Sequence, residues 1–186
     1  MTNYGGAVPD RDLLSGEYAA LALLRLQPMY GYEMGPYLAG AHLSEVCPIE
    51  SGMLYTYLRN IAQRGLVSWG EVRVGRRPPR KLYDLTDAGR ALIDDWLRTP
   101  VGRVEDIRRE FLVKLFVLHR IAPDTELDLV SQQASVCQEY VERIPNVSNG
   151  DSFLRLVTES KRAAAEATIG WLRDYRRELA QSQLFV

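Results

Sequence analysis

Residues 51–86 read SGMLYTYLRNIAQRGLVSWGEVRVGRRPPRKLYDLT. At ~100° per residue the first part of this stretch brings Leu54, Leu58 and Ile61 onto one face, so Ser51 to Arg64 is expected to be a helix with Gly65 as its C-cap. The opposite face is centred on Thr56 and Gln63, with Gly52, Arg59 and Asn60 nearby and Tyr55 and Tyr57 on its flanks. It offers hydrogen-bonding and cationic groups and no aliphatic side chain. Leu66 to Val74 then alternates as a strand, with Val67, Trp69 and Val72 expected to pack. Lys81 to Leu85 is the returning strand, with Leu82 and Leu85 inward. Between them, Gly75-Arg76-Arg77-Pro78-Pro79-Arg80 concentrates chain breakers. The two strands therefore make a hairpin tipped with arginine and proline.

Working outward, residues 1–14 contain Gly5, Gly6 and Pro9 and are expected to be a flexible arm. A helix begins at Ser15, carries Leu21 and Leu24, and is ended by Pro28. Tyr30-Gly31-Tyr32 opens a short second helix to about Ala41. A loop follows at Cys47-Pro48, because the residue before proline avoids helical dihedrals. On the far side of the hairpin, Thr86 is a good N-cap and Asp87 suits the first turn. That helix carries Leu92, Ile93, Trp96 and Leu97 and stops near Pro100. Beyond Gly102 the pattern changes to long helices. Val104 to Arg120 is apolar nearly all round and reads as buried. Asp124 to Ile144 places Leu127, Val130, Ala134, Cys137, Val141 and Ile144 on a coiled-coil-like seam. After a break at 145–150, Asp151 to about Ala180 forms a last helix with Leu154, Val157, Ala165, Ile169, Leu172 and Leu179 inside.

The expected fold is thus mostly α with a small β-hairpin: a winged helix-turn-helix over 15–100, then an antiparallel helical dimerisation domain over 101–186. The charge distribution fits that division. The 186 residues carry a formal net charge of -1, yet residues 59–81 hold seven cations against the single acid Glu71, a local +6. Phosphate binding depends on local potential rather than on the overall sum. A four-turn helix fits the major groove, where arginine pairs with guanine and asparagine or glutamine with adenine. The expected base-facing set is Ser51, Met53, Tyr55, Thr56, Arg59, Asn60, Gln63 and Arg64. The wing and backbone set is Tyr30, Tyr32, Arg73, Arg76, Arg77, Arg80 and Lys81. Double-stranded DNA with a palindromic operator is the expected partner.

Several motifs in this stretch occur together in one family. They are Leu26-Gln27-Pro28-Met29-Tyr30-Gly31-Tyr32-Glu33, Ser51-x-Gly-x-Leu54-Tyr55 with Leu58, Gly65-Leu66-Val67, and Gly75-Arg76-x-Pro-x-Arg80-Lys81-x-Tyr83-x-Leu85-Thr86-x-Ala88-Gly89-Arg90. Residues 15–98 therefore resemble the PadR family of transcriptional regulators. Arg109-Glu110-Phe111-Leu112-x-Lys114-Leu115-Phe116 is similar to the start of the C-terminal domain in its longer members. The resemblance implies a homodimer paired through its C-terminal helices, usually a repressor, often released by a small-molecule effector. Met53 and Thr56 stand where the family usually has threonine and proline, and Asn60-Ile61 stands where a leucine-glutamate pair is common. The docking mode carries over; an operator sequence does not.

The same residues admit other readings. A winged helix can bind protein, and a helical domain can carry hydrophobic small molecules beside a vestigial DNA-binding half. Trp96, Phe111, Phe116 and Trp171 are candidate lining for an effector pocket, although aromatic residues at helical spacing more often form core. His42 and His119 have no ligand spacing, so no metal is expected. Neither a phosphate-binding glycine loop nor a nucleophile motif is present, so catalysis and cofactors are not expected either. Cys47 and Cys137 are far apart and read as reduced thiols, Cys137 buried, with a redox switch as the weaker alternative. With no basic-then-apolar start and no run near the ~18 apolar residues of a membrane span, a cytoplasmic location is expected.

Overall fold

The computed structural model describes residues 13–73, 78–146 and 151–183. The N-terminal half is built from α1 (Ser15–Leu26), β1 (Met29–Tyr30), α2 (Gly31–Gly40), α3 (Ser51–Gln63), β2 (Val67–Val72), β3 (Arg80–Leu85) and α4 (Asp87–Arg98). The C-terminal half is α5 (Glu110–Ile121), α6 (Pro123–Arg143) and α7 (Ser152–Gln183). This is a winged helix-turn-helix followed by three helices.

Leu54, Leu58 and Ile61 lie buried against Leu21, Leu24, Met34 and Leu38, so the apolar stripe of α3 sits where its spacing places it. Each such side chain contributes about 1.5–3 kcal/mol through burial. The stop of α3 is equally physical. Gly65 has φ +70°, its N–H donates to Ala62 O (3.0 Å), and Leu66 N–H donates to Ile61 O (2.9 Å). These are the paired bonds of a Schellman motif, whose left-handed position favours glycine. The turn is then tied to α4. Thr86 Oγ1 donates to Gly65 O (2.7 Å) and accepts from Gly89 N–H (3.0 Å). Gly89 passes so close that a Cβ there would stand 1.9 Å from Leu66 O.

The sheet has one more strand than the hairpin expected from sequence. Its order is β1-β3-β2, antiparallel throughout, with Met29 opposite Tyr83 and Val67 opposite Leu85. Two residues, Met29 and Tyr30, are too few to give a period-two signal. The strand faces also differ from expectation. Tyr83 and Leu85 are buried while Leu82 is half-buried. Leu82 and Leu85 stand three apart, and strand side chains alternate, so they cannot share a face.

Three further expectations are corrected. Leu13, assigned to the arm, is packed into the core. The helix expected over Val104 to Arg120 is broken: Val104–Arg108 is a 3₁₀ turn, and Arg109 (φ -124°, ψ -81°) leaves helical geometry before α5 starts. Leu154 is exposed rather than inside, because the first turns of α7 run past the end of α6. Arg162 marks that end, its guanidinium donating to Ile144 O (3.1 Å) and Val141 O (3.5 Å) among the last carbonyls of α6. From there α7 lies antiparallel along α6, and Tyr175 Oη donates to Glu126 Oε1 (2.6 Å). The Glu126 carboxylate is wholly buried and also meets His119 Nδ1 at 3.1 Å. Burial and this carboxylate hold the Tyr175 hydroxyl well above the ordinary tyrosine range.

The two halves join through buried polar contacts. The Gln133 amide accepts from Val101 N–H (2.8 Å) and donates to Val101 O (3.0 Å). Lys114, 1% exposed, donates from Nζ to Thr99 O (2.7 Å), meets Glu110 Oε1 (3.0 Å) and lies 4.5 Å from the Trp96 ring centroid. Burial lowers its pKa, and Glu110 opposes that shift.

Candidate nucleic-acid interface

On α3 the outward face carries Met53, Tyr55, Arg59, Gln63 and, at the C-cap, Arg64, all exposed. Ser51 opens the helix, and half-buried Thr56 donates from Oγ1 to Gly52 O (3.4 Å). Asn60 does not join this face as expected. Its Nδ2 donates to Glu17 Oε1 (3.0 Å), and Glu17 is buried in the first turn of α1 with Oε2 accepting from Leu14 N–H (3.0 Å). The amide thus satisfies a buried carboxylate instead of facing a groove. It sits on the edge of the polar face nearest α1, where a wheel cannot tell a reading position from a packing one.

The wing stands beside α3. Across the hairpin Trp69 pairs with Tyr83 and Glu71 with Lys81, so Val67, Trp69, Lys81, Tyr83 and Leu85 share one sheet face. The base of that face enters the core. Its outer part leaves the core, and Trp69 is 46% exposed rather than packed as the sequence suggested. Lys81 Nζ lies 3.7 Å from the Trp69 ring centroid. Arg80 Cζ lies 4.6 Å from the centroid of Tyr32, which stacks on Tyr30 at 5.6 Å. Such cation–π pairs fix where a long cationic side chain points. Arg73 is exposed just beyond β2, and Arg76 and Arg77 lie outside the described residues.

Helix and wing enclose a cleft of about 630 Å³ lined by Tyr32, Tyr55, Arg59, Trp69, Lys81 and Tyr83, among others. Burial raises the Tyr83 hydroxyl pKa and nearby Tyr55 adds to the rise, while Arg59 pulls it down. Arg59 is itself part of the cleft wall. Trp69 is the cleft-lining residue that the sequence reading placed in the core. The available signal was its strand face, which it shares with the charged Glu71 and Lys81.

The four aromatic residues considered for an effector pocket do not surround one cavity. Phe111 is wholly buried and meets Trp171 edge-on at 6.4 Å. Trp171 stacks on Tyr175 at 6.0 Å and borders a groove with Ile107 and Leu112. Phe116 is half-buried beneath Arg120, whose Cζ is 3.6 Å from its ring. Trp96 stacks on Tyr18 at 4.8 Å, and its buried Nε1 has no hydrogen-bond partner. It lines a separate cavity of about 190 Å³ between the halves, with Cys47, Ile49, Tyr57, Arg109 and Val113. Burial raises the Cys47 thiol pKa, with Arg109 opposing, and raises that of buried Cys137. No group of three or more metal-ligating side chains occurs among the described residues, and no described helix is long and apolar enough to cross a membrane.

Residues 20–95, which run from α1 to α4, match the transcriptional regulator PadR-like family. This part of the chain is similar to a PadR-like domain. A stretch of 117 residues is 26% identical to the negative transcriptional regulator PadR of Bacillus subtilis (strain 168), covering 63% of this chain and 64% of that relative. Two solved structures of Bacillus subtilis PadR are similar over a longer span. The complex with operator DNA is 21% identical, with a TM-score of 0.45, over 88% of this chain and 98% of that one. The complex with p-coumaric acid is 20% identical, with a TM-score of 0.42, over 90% and 99%. The matched family, and the curated relative, are transcriptional regulators.

Proposed function

We propose that this chain is a cytoplasmic homodimeric repressor that binds a palindromic operator through α3 and the wing and is released by a small-molecule effector. The observation that carries this reading is the exposed polar face of α3 standing beside a wing whose cations are held on aromatic rings. In the major groove that face reaches base edges, while the wing cations neutralise the neighbouring backbone. The dimer is supported by α7. Its first turns overrun α6 and leave Phe153 and Leu156 68% and 60% exposed, apolar surface of the kind a second copy covers. Two copies would read half-sites about 34–36 Å apart.

Anisotropy titration of the full chain against its own upstream DNA tests this. Binding of two chains per palindrome is expected, with affinity falling by ~10³-fold or more between 50 and 200 mM salt. Salt-independent affinity, or a monomer by light scattering at micromolar concentration, would remove the model.

Effector control is supported by the cavity between the halves. It touches Tyr57 on α3 and Arg109 before α5, and Trp96 borders it with an unpaired N–H, so an occupant with an acceptor atom would bear on both halves. A compound that releases bound DNA should also raise the melting temperature of the full chain. Val113→Trp, which fills the cavity, should abolish both effects. If that variant responds as the parent does, the effector sits elsewhere.

A further inference from the structure

We propose that the cleft between α3 and the β2–β3 wing holds one deoxyribose–phosphate strand of the duplex, with Trp69 as the wall against its sugars and Arg59 as a phosphate contact. This rests on the DNA-binding reading and goes beyond it, because it gives a site to one strand and takes Arg59 away from the bases.

The argument begins with duplex geometry. A recognition helix in the major groove and a wing that crosses toward the minor groove must stand on either side of the strand separating those grooves. Here that strand meets the cleft of about 630 Å³. Its chemistry suits a backbone better than a base pair. Arg59, Arg80 and Lys81 supply three cations along the walls. Two of these are drawn onto rings, Lys81 onto Trp69 and Arg80 onto Tyr32, which holds their charge within the cleft instead of projecting it along the groove floor. Arg59 lines the same cleft from the α3 side.

Between the cations the walls are aromatic. A strand in a stacked duplex turns its sugar C–H faces outward and keeps its bases inside, so exposed rings in the path of a backbone meet sugars. Trp69 is the largest of them and is 46% exposed on that sheet face. Base reading is then left to the side of α3 away from the wing. Met53, 42% exposed in the first turn, can meet a thymine methyl, and Thr56 either base.

The full chain and a 30-base-pair duplex of arbitrary sequence at low salt provide the test. Acrylamide quenching of tryptophan emission should fall when the duplex saturates the parent protein. In Trp69→Phe the residual emission should show no such change, although the variant still binds DNA. Arg59→Gln should weaken binding to arbitrary and palindromic DNA by the same factor and flatten the plot of log affinity against log salt by about one. Binding that leaves Trp69 open to acrylamide would overturn the inference while sparing DNA binding. So would an Arg59→Gln variant that changes sequence preference at an unchanged salt slope. If the parent binds no duplex even at low salt, the functional reading falls and takes this inference with it.

Discussion

The face formed by α3 and the wing and the junction around Lys114 both gather polar groups, and they dispose of them in opposite ways. At the junction Lys114 is buried with three partners from two elements, and the Gln133 amide meets both polar atoms of the Val101 backbone. On α3, Arg59 and Gln63 are exposed, and the wing cations rest on aromatic rings instead of carboxylates. A buried polar group must be satisfied from within, because its desolvation is otherwise uncompensated. A solvated one keeps its bonding capacity for a partner from outside. The junction therefore spends its polarity on joining the halves, and the face keeps its own for nucleic acid.

The sharpest way to break this comparison is Lys114→Ala. It leaves Thr99 O without its donor and removes the Glu110 ion pair, so a loss of roughly 3 kcal/mol is expected in urea denaturation. Arg59→Gln and Lys81→Gln, by contrast, should stay within about 0.5 kcal/mol of the parent, as surface substitutions do. A Lys114→Ala loss below that of the surface variants would mean the junction is no more committed than the face. The Lys114 charge also predicts a pH trend. Its folded pKa lies below the unfolded 10.5, so the unfolded chain binds more protons between those two values. This group's contribution to stability therefore rises as pH approaches 10.5 from below, and Lys114→Met should remove that rise.

The sequence made the helices of the N-terminal half legible because each combines a stripe with a stop: Leu54, Leu58 and Ile61 with Gly65, or Ile93 and Leu97 after Thr86. The basic segment over 59–81 already marks the candidate face. What stayed hidden was decided by distant partners. The two-residue β1 exists because β3 pairs with it, and no local period announces it. Arg109 breaks an apolar run whose composition favours one long helix. Trp69 looked like core because tryptophan in a strand usually packs, yet its face outruns the core at that point. Lys114 stands among Val113, Leu115 and Phe116, and a pattern that reads as buried does not say what would satisfy a buried cation.

Asn60 tests the comparison at its boundary. It stands on the recognition helix, where its residue type suits adenine, yet its Nδ2 is committed 3.0 Å from the buried Glu17 carboxylate. If polarity that is satisfied within the fold is structural, Asn60→Ala should cost about 1 kcal/mol in denaturation, the usual worth of such a bond. The order of preference among operator variants should stay unchanged. Glu17→Gln should cost a similar amount, and the double variant less than the sum, because both remove the same contact. Competition anisotropy across single-base operator changes reads the other half of the claim. A specific loss of discrimination at one base pair in Asn60→Ala, with stability intact, would put Asn60 back among the reading residues and show that the amide exchanges Glu17 for DNA on docking.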